Sequence, residues 1–232
     1  MMKFSKMKKR NNTARLSIAC LCILFAAGML AGCSSGSGEF QKSSYTADGT
    51  QVKEIQIQVR DREIEVALSQ DQQISLEYAE SAKEGYSISV SQDNVLTMAA
   101  KTDKNWTDYF GGKADAANRK ILLRIPSGLL SSLTLSTTNG DLLLPALEVT
   151  GSLSLSANNG DIRFEKLGVG NALDLKAKNG DIRGTVAGSY EEFSISCESK
   201  KGESNLPSKK DGAPKALTVA NNNGDITIEF AG

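Results

Sequence analysis

Five acidic residues each follow a glycine at a near-constant interval. Asp141, Asp161, Asp181, Glu203 and Asp225 stand behind Gly140, Gly160, Gly180, Gly202 and Gly224, and those glycines are 20, 20, 22 and 22 residues apart. Asn139, Asn159, Asn179 and Asn223 precede four of them. If the copies stack, the carboxylates form a ladder, and three chemistries are open to it. Calcium needs six or more oxygens converging from one loop, so one carboxylate per level is thin. Glycoside hydrolysis needs two carboxylates set across a cleft, and the spacing displays no such pair. The third option is structural: Asn and Asp side chains hydrogen-bond nearby backbone at a bend. The pattern favours this corner-capping role, with Arg163 and Arg183, two residues after their aspartates, offsetting the repulsion. No metal or cofactor is expected at the ladder.

Other reactive groups are few. The chain has no histidine, which removes a His-based triad and a His-ligated metal. Its four cysteines are Cys20, Cys22, Cys33 and Cys197. Cys197 occupies a position that leucine fills in other copies and reads as a small buried hydrophobe. Residues 101–120 break the repeat and hold Trp106, Tyr109 and Phe110. These three are candidate ligand contacts, although aromatics of this size mostly serve burial, so a cover over an exposed patch of core is the preferred reading.

The elements that position the corners follow from the pattern around each glycine. Seven residues before it stand Leu133, Leu153, Leu173, Ile195 and Leu217; five before it stand Leu135, Leu155, Leu175, Cys197 and Val219. Two after it stand Leu142, Ile162, Ile182, Ser204 and Ile226. Apolar and polar residues alternate, which is the period of a half-buried strand. Each copy is therefore two short strands joined by a corner, and glycine there tolerates positive φ. One copy cannot bury its own apolar face, whereas stacked copies build a continuous core.

Asn-Gly between strands is also a strong hairpin signal. Here it marks alternate connections only, and the others, such as residues 145–148 and 166–170, are looser. The expected fold is thus all-β, a single-domain β-solenoid rather than an antiparallel meander, with period 20–22 in the C-terminal half. A leucine-rich repeat has a similar period but a different leucine-to-asparagine spacing, and is rejected. Shorter alternating runs near 55–59, 64–68, 74–78, 86–90, 95–98 and 121–125 extend the pattern backwards, with Arg60-Asp61-Arg62 as a degenerate corner. Counting them gives roughly eight two-strand coils.

These repeats resemble the bacterial putative-adhesin family of unknown function, whose copies carry a similar leucine-x-leucine and Asn-Gly-Asp signature. The likeness covers roughly residues 50–230. It implies a β-solenoid on an envelope protein and brings no catalytic residues with it.

Residues 1–32 hold Lys3, Lys6, Lys8, Lys9, Arg10 and Arg15 and no acid, followed by an apolar run from Leu16 to Leu30. That order reads as a signal peptide, too short for a permanent membrane span. Leu30-Ala31-Gly32-Cys33 resembles a lipobox, which implies lipid attachment at Cys33. The expected organisation is a removed leader over 1–32, a lipidated flexible tether over 33–50 rich in serine and glycine, and the solenoid over 51–232. Formal neutrality, 27 basic against 27 acidic residues, is a product of the leader. Without its six basic residues the balance is 21 against 27, a net of −6, which argues against a nucleic-acid partner.

The last coil, Leu217 to Phe230, leaves little sequence after it to cover its open edge. Exposed strand edges invite association. Residues 206–215, rich in charge and proline, are the preferred cover, with a self-association surface as the alternative. The oligomeric state is left open.

The expectation is a non-catalytic, membrane-anchored extracytoplasmic lipoprotein that binds or scaffolds through its solenoid face, with a cell-wall, glycan or protein partner. An accessory or sensor protein of the envelope stress response is the alternative. A polysaccharide-acting enzyme on a β-helix ranks third.

Overall fold

A computed structural model describes residues 39–102 and 115–232, all within one unit, Gly36–Gly232. Cys33 and the aromatic trio Trp106, Tyr109 and Phe110 lie outside the described residues.

The four clear repeats stack as their alternation demands. Their first strands, Ser132–Asn139 (β8), Ser152–Asn159 (β11), Ala172–Asn179 (β13) and Lys215–Asn223 (β17), lie side by side and parallel in one sheet. Their second strands, Leu142–Leu144 (β9), Ile162–Val169 (β12), Ile182–Ala187 (β14) and Ile226–Ala231 (β18), do the same in the other. Like residues meet: Leu133, Leu153, Leu173 and Leu217 are register partners, as are Leu135, Leu155, Leu175 and Val219. Both rows are essentially sealed from solvent. Parallel pairing rules out the meander. Each buried leucine contributes about 1.5–3 kcal/mol, and a one-residue slip would turn the whole row to water.

The neighbour of the third copy is not the next copy in sequence. β17 pairs with β13, and the worn copy, Phe193–Lys201 (β15), lies outside β17. The chain travels past one level, lays down β15, and returns to fill the gap. The worn copy suits the end because an outer level packs on one side only. It has Ser204 where interior copies have leucine or isoleucine, and Lys201 and Glu203 beside its corner glycine. Cys197 is only partly buried there, with its Sγ 3.3 Å from the Ser204 hydroxyl.

The same residues cover the open edge. The Ile226 N–H donates to the Glu203 carbonyl, 2.8 Å. Asn205 then stands in for a strand, donating from Nδ2 to the Ile228 carbonyl (2.8 Å) and accepting from the Ile228 N–H (3.0 Å). The expected cover, residues 206–215, supplies the two-residue strand Lys209–Lys210 (β16) against β15, in the other sheet. The cap at β18 is therefore Glu203–Asn205, and it lies just before the stretch that charge and proline content indicate.

The N-terminal half departs from a coil continued backwards. Glu54–Val59 (β2) and Glu63–Leu68 (β3) form a coil that stacks on β8 and β9. The next level outward is Val95–Thr102 (β6) with Lys120–Ile125 (β7), parallel to β2 and β3. Beyond it lie Gln73–Glu80 (β4) and Glu84–Val90 (β5), both antiparallel to their neighbours. The detour at the C-terminal end is thus repeated here: an outer level is built first and a later coil fills the space inside it.

Among the described residues six coils are parallel, namely β6–β7, β2–β3, β8–β9, β11–β12, β13–β14 and β17–β18. The expected eight equivalent coils counted the reversed outer strands as coils. The physical reason is closure: an end level must stop the stack, and reversed or partial strands do so. The tether assignment over 33–50 also needs correction. Gln41–Asp48 (β1) pairs along its whole length, antiparallel, with β4, and Tyr45 and Ala47 pack against the core.

Candidate functional site

The corner column is the site that the spacing identified, and the structure brings its members into line. Each aspartate Oδ1 accepts the backbone N–H of the acidic residue one level on. Asp141 accepts from Asp161 (2.9 Å), Asp161 from Asp181 (2.8 Å), Asp181 from Asp225 (2.8 Å) and Asp225 from Glu203 (3.0 Å). The asparagines form a second ladder beside it. Asn159 donates to Asn139, Asn179 to Asn159 and Asn223 to Asn179, each at 2.6 Å. Asn139 donates to Asp61, which takes the asparagine place in the degenerate corner. Asp61 holds a positive φ of 54°, a conformation that Asp and Asn tolerate better than most residues.

The second oxygens of Asp141, Asp161 and Asp181 face arginine. Arg163 bridges Asp141 and Asp161, and Arg183 pairs with Asp181 at 2.6 Å. Both arginine side chains are about half exposed, so each ion pair contributes at most about 1 kcal/mol. Among the described residues no group of three or more potential ligands is placed to hold a metal ion. The carboxylates are used to tie one level to the next. Asp161→Ala is accordingly expected to cost about 1–3 kcal/mol, because the buried-side acceptor for the Asp181 N–H disappears. Asp161→Asn, which keeps Oδ1, should cost less than half as much. Thermal unfolding of the two variants checks this, and added calcium should leave all the melting temperatures unchanged.

One buried column position breaks the apolar rule. Asn221 is 1% exposed in the slot that Thr137, Ala157 and Ala177 fill in other copies. Its Nδ2 donates to the Gly180 carbonyl, 2.9 Å, while its Oδ1 has no partner among the described residues. Thr137 does the equivalent work one end away, donating from Oγ1 to the Arg62 carbonyl at 2.7 Å.

The spacing gave no warning of a second site. The second-strand sheet opens into a groove of about 880 Å³. Its cause is Pro145. β3 and β9 pair only at Ile64↔Leu142 and Glu65↔Leu143. The next donor in that ladder would be the N–H of residue 145, and proline has none. Beyond it the repeat resumes as Leu147–Val149 (β10), which pairs with β12 on the far side. The stretch Val66–Leu68 is thereby left without a strand on that flank. Leu68, Leu144 and Phe164 give the groove apolar walls, and Glu65, Arg163, Glu165 and Arg183 line it as well. Glu65 is engaged by Lys120. A proline directly after a short strand, in a repeat whose other copies lack it, is the signal that could have revealed the site.

Gly184 adjoins the groove for a related reason. A Cβ there would sit 2.3 Å from a Phe164 ring carbon. Phe164 fills both its own place and the space left by the missing side chain of its register partner Gly184.

Among the described residues no helix is long and apolar enough to cross a membrane. A putative cell adhesion protein from Clostridium sporogenes ATCC 15579 has a similar structure. The identity is 11%, the TM-score is 0.57, and the match covers 83% of this chain and 100% of that one. A putative adhesin from Bacteroides fragilis NCTC 9343 matches at 15% identity and TM-score 0.35, covering 84% of this chain and 98% of that one. At such identities the first likeness establishes the fold alone. No protein in the curated set matches the sequence. Residues 52–148 and 146–229 each match Toastrack DUF4097, and together these spans take in most of the chain. This chain belongs to the Toastrack DUF4097 family.

Proposed function

We propose that this protein is an extracytoplasmic lipoprotein, anchored to the bacterial envelope membrane through lipid on Cys33, whose solenoid serves as a non-catalytic binding or scaffolding module. The observation that carries the reading is the use made of the acidic column. Asp141, Asp161 and Asp181 each accept a main-chain N–H of the next level and pair with an arginine, so the interior carboxylates of the column are committed to rigidity. Of the groove carboxylates, Glu65 on β3 is likewise bonded to Lys120. Adhesin-like structural relatives favour a surface role, although a fold alone does not fix a function.

Anchoring is tested at Cys33. Cys33→Ala is expected to abolish incorporation of labelled fatty acid and to shift the protein out of the membrane fraction, with its far-ultraviolet circular dichroism unchanged. Equal label in the variant would remove the lipoprotein reading. A glycan, cell-wall and protein binding screen on the membrane-bound protein addresses the partner.

A further inference from the structure

We propose that the groove opened by Pro145 binds an extended peptide that carries basic residues and adds itself as a strand beside Val66–Leu68. The inference deepens the binding-module reading and rests on it.

Main-chain direction argues for a strand. The Ile64 N–H donates to the Asp141 carbonyl, 2.9 Å, so Ile64 faces β9. The Ser69 N–H donates to the Ile125 carbonyl, 2.8 Å, so Ser69 faces β7. Backbone groups alternate sides along a strand. The N–H and C=O of Leu68 therefore point into the gap, as does the Val66 C=O that residue 145 cannot serve. A short row of sheet-edge donors and acceptors is matched by another main chain in extended form, which is the basis of strand addition. At the β18 edge the stack is closed: Asn205 satisfies Ile228, and residues 203–205 cover β18. This flank of β3 lies in mid-sheet and has no such plug among the described residues.

The side-chain surroundings define the peptide further. Leu68 is 43% exposed although its register partner Ile125 is fully buried. Leu144 and Phe164, which also line the groove, are buried in the core, so Leu68 is the exposed apolar contact for a side chain of an added strand. The charge left uncompensated at the groove is negative. Arg163 and Arg183 are occupied by aspartates of the corner column, and Glu65 by Lys120. Glu165 is exposed, and among the described residues no basic group pairs with it. A lysine or arginine on the incoming strand complements it.

The test uses the full chain in detergent micelles and a fluorescein-labelled decapeptide of alternating lysine and valine, at physiological ionic strength. Saturable binding is expected, and Leu68→Asp and Glu165→Lys should each weaken it about tenfold. Both positions are exposed, so folding is preserved, and circular dichroism confirms it. A decapeptide with N-methyl groups on alternate residues should not bind, and the Leu68 amide should exchange more slowly when the unmethylated peptide is present. Four outcomes overturn the proposal: no saturable binding, equal binding to both variants, equal binding of the methylated peptide, or equal binding of a glutamate–valine decapeptide. Light scattering covers the other occupant. A peptide-free dimer that Leu68→Asp dissolves would assign the groove to a second copy of this chain and overturn the proposal too. None of these readings depends on Cys33, so a failure here is distinguishable from a failure of lipid anchoring.

Discussion

Gly160→Val is expected to be the most damaging single change in the corner column, lowering stability by about 2–6 kcal/mol. Two penalties add. Gly160 has φ +155°, a conformation rare for residues with a side chain, and that strain alone costs about 1–3 kcal/mol. A Cβ there would also lie 2.1 Å from the Gly140 carbonyl oxygen and 2.4 Å from its carbon. Backbone held by ladders on both sides cannot step aside cheaply, so forced overpacking adds about 1–3 kcal/mol more. The same close approach recurs at Gly180 against Gly160 and at Gly224 against Gly180, so no side chain fits at any of these three levels. Gly212 separates the two penalties. It has φ +98° but no atom within 4 Å of the place a Cβ would take, so Gly212→Val should show backbone strain alone. Denaturant unfolding of both variants measures the difference. Equal losses at the two sites would mean that the close approach between levels contributes nothing.

Arg62→Ala is expected to cost about 3–5 kcal/mol, the range for removing one partner of a buried ion pair. Arg62 is 3% exposed. It donates to the Tyr86 hydroxyl (2.6 Å), to Glu84 (2.7 Å) and to the Asp61 carbonyl (3.0 Å). Burial by itself lowers the Arg62 pKa, but Tyr86 and Glu84 outweigh it, and the net shift is upward. The cluster joins a corner of the β2–β3 coil to β5 in the reversed outer level, so its loss should loosen that end first. Hydrogen exchange in β4 and β5 is expected to quicken before exchange in β11 or β13. Arg62→Met with Glu84→Gln, which removes both charges, should recover most of the loss. If the double variant is no more stable than Arg62→Ala, the cost lies in packing and not in the lost Arg62–Glu84 pairing.

The same cluster sets an alkaline limit. Burial raises the pKa of Tyr86, against a lowering by Arg62, and burial also raises that of Tyr78. An acid with a raised folded-state pKa holds its proton more tightly when folded. Its contribution is full below the unfolded value of about 10 and is lost as pH climbs through the folded value. Stability should therefore fall above about pH 10, less steeply in Tyr86→Phe.

The two-strand copy was legible in the sequence because its causes are local. Alternation places Leu153, Leu155 and Ile162 on one face, and Asn159-Gly160-Asp161 turns the corner between them. That the aspartates serve hydrogen bonding at the corners was legible, but the expected partner was backbone of the same bend; the N–H that each Oδ1 accepts lies 20 to 44 residues away on the next level, and only stacking supplies it. What periodicity does not encode is which copy lies beside which. Leu173 could be followed by Ile195 or by Leu217 with the same spacing of apolar residues. Tertiary packing decides for Leu217, since an interior level is covered on both sides. The Leu217 copy supplies Leu217, Val219, Ile226 and Ile228, all buried, while the worn copy offers Cys197 and Ser204 in two of those rows. The ends and the groove belong to tertiary structure too. Asn205 is an ordinary loop asparagine until Ile228 lies beside it. Pro145 is an ordinary break in a strand until β3, from far earlier in the chain, is left with its Val66 carbonyl facing a donor that proline does not have.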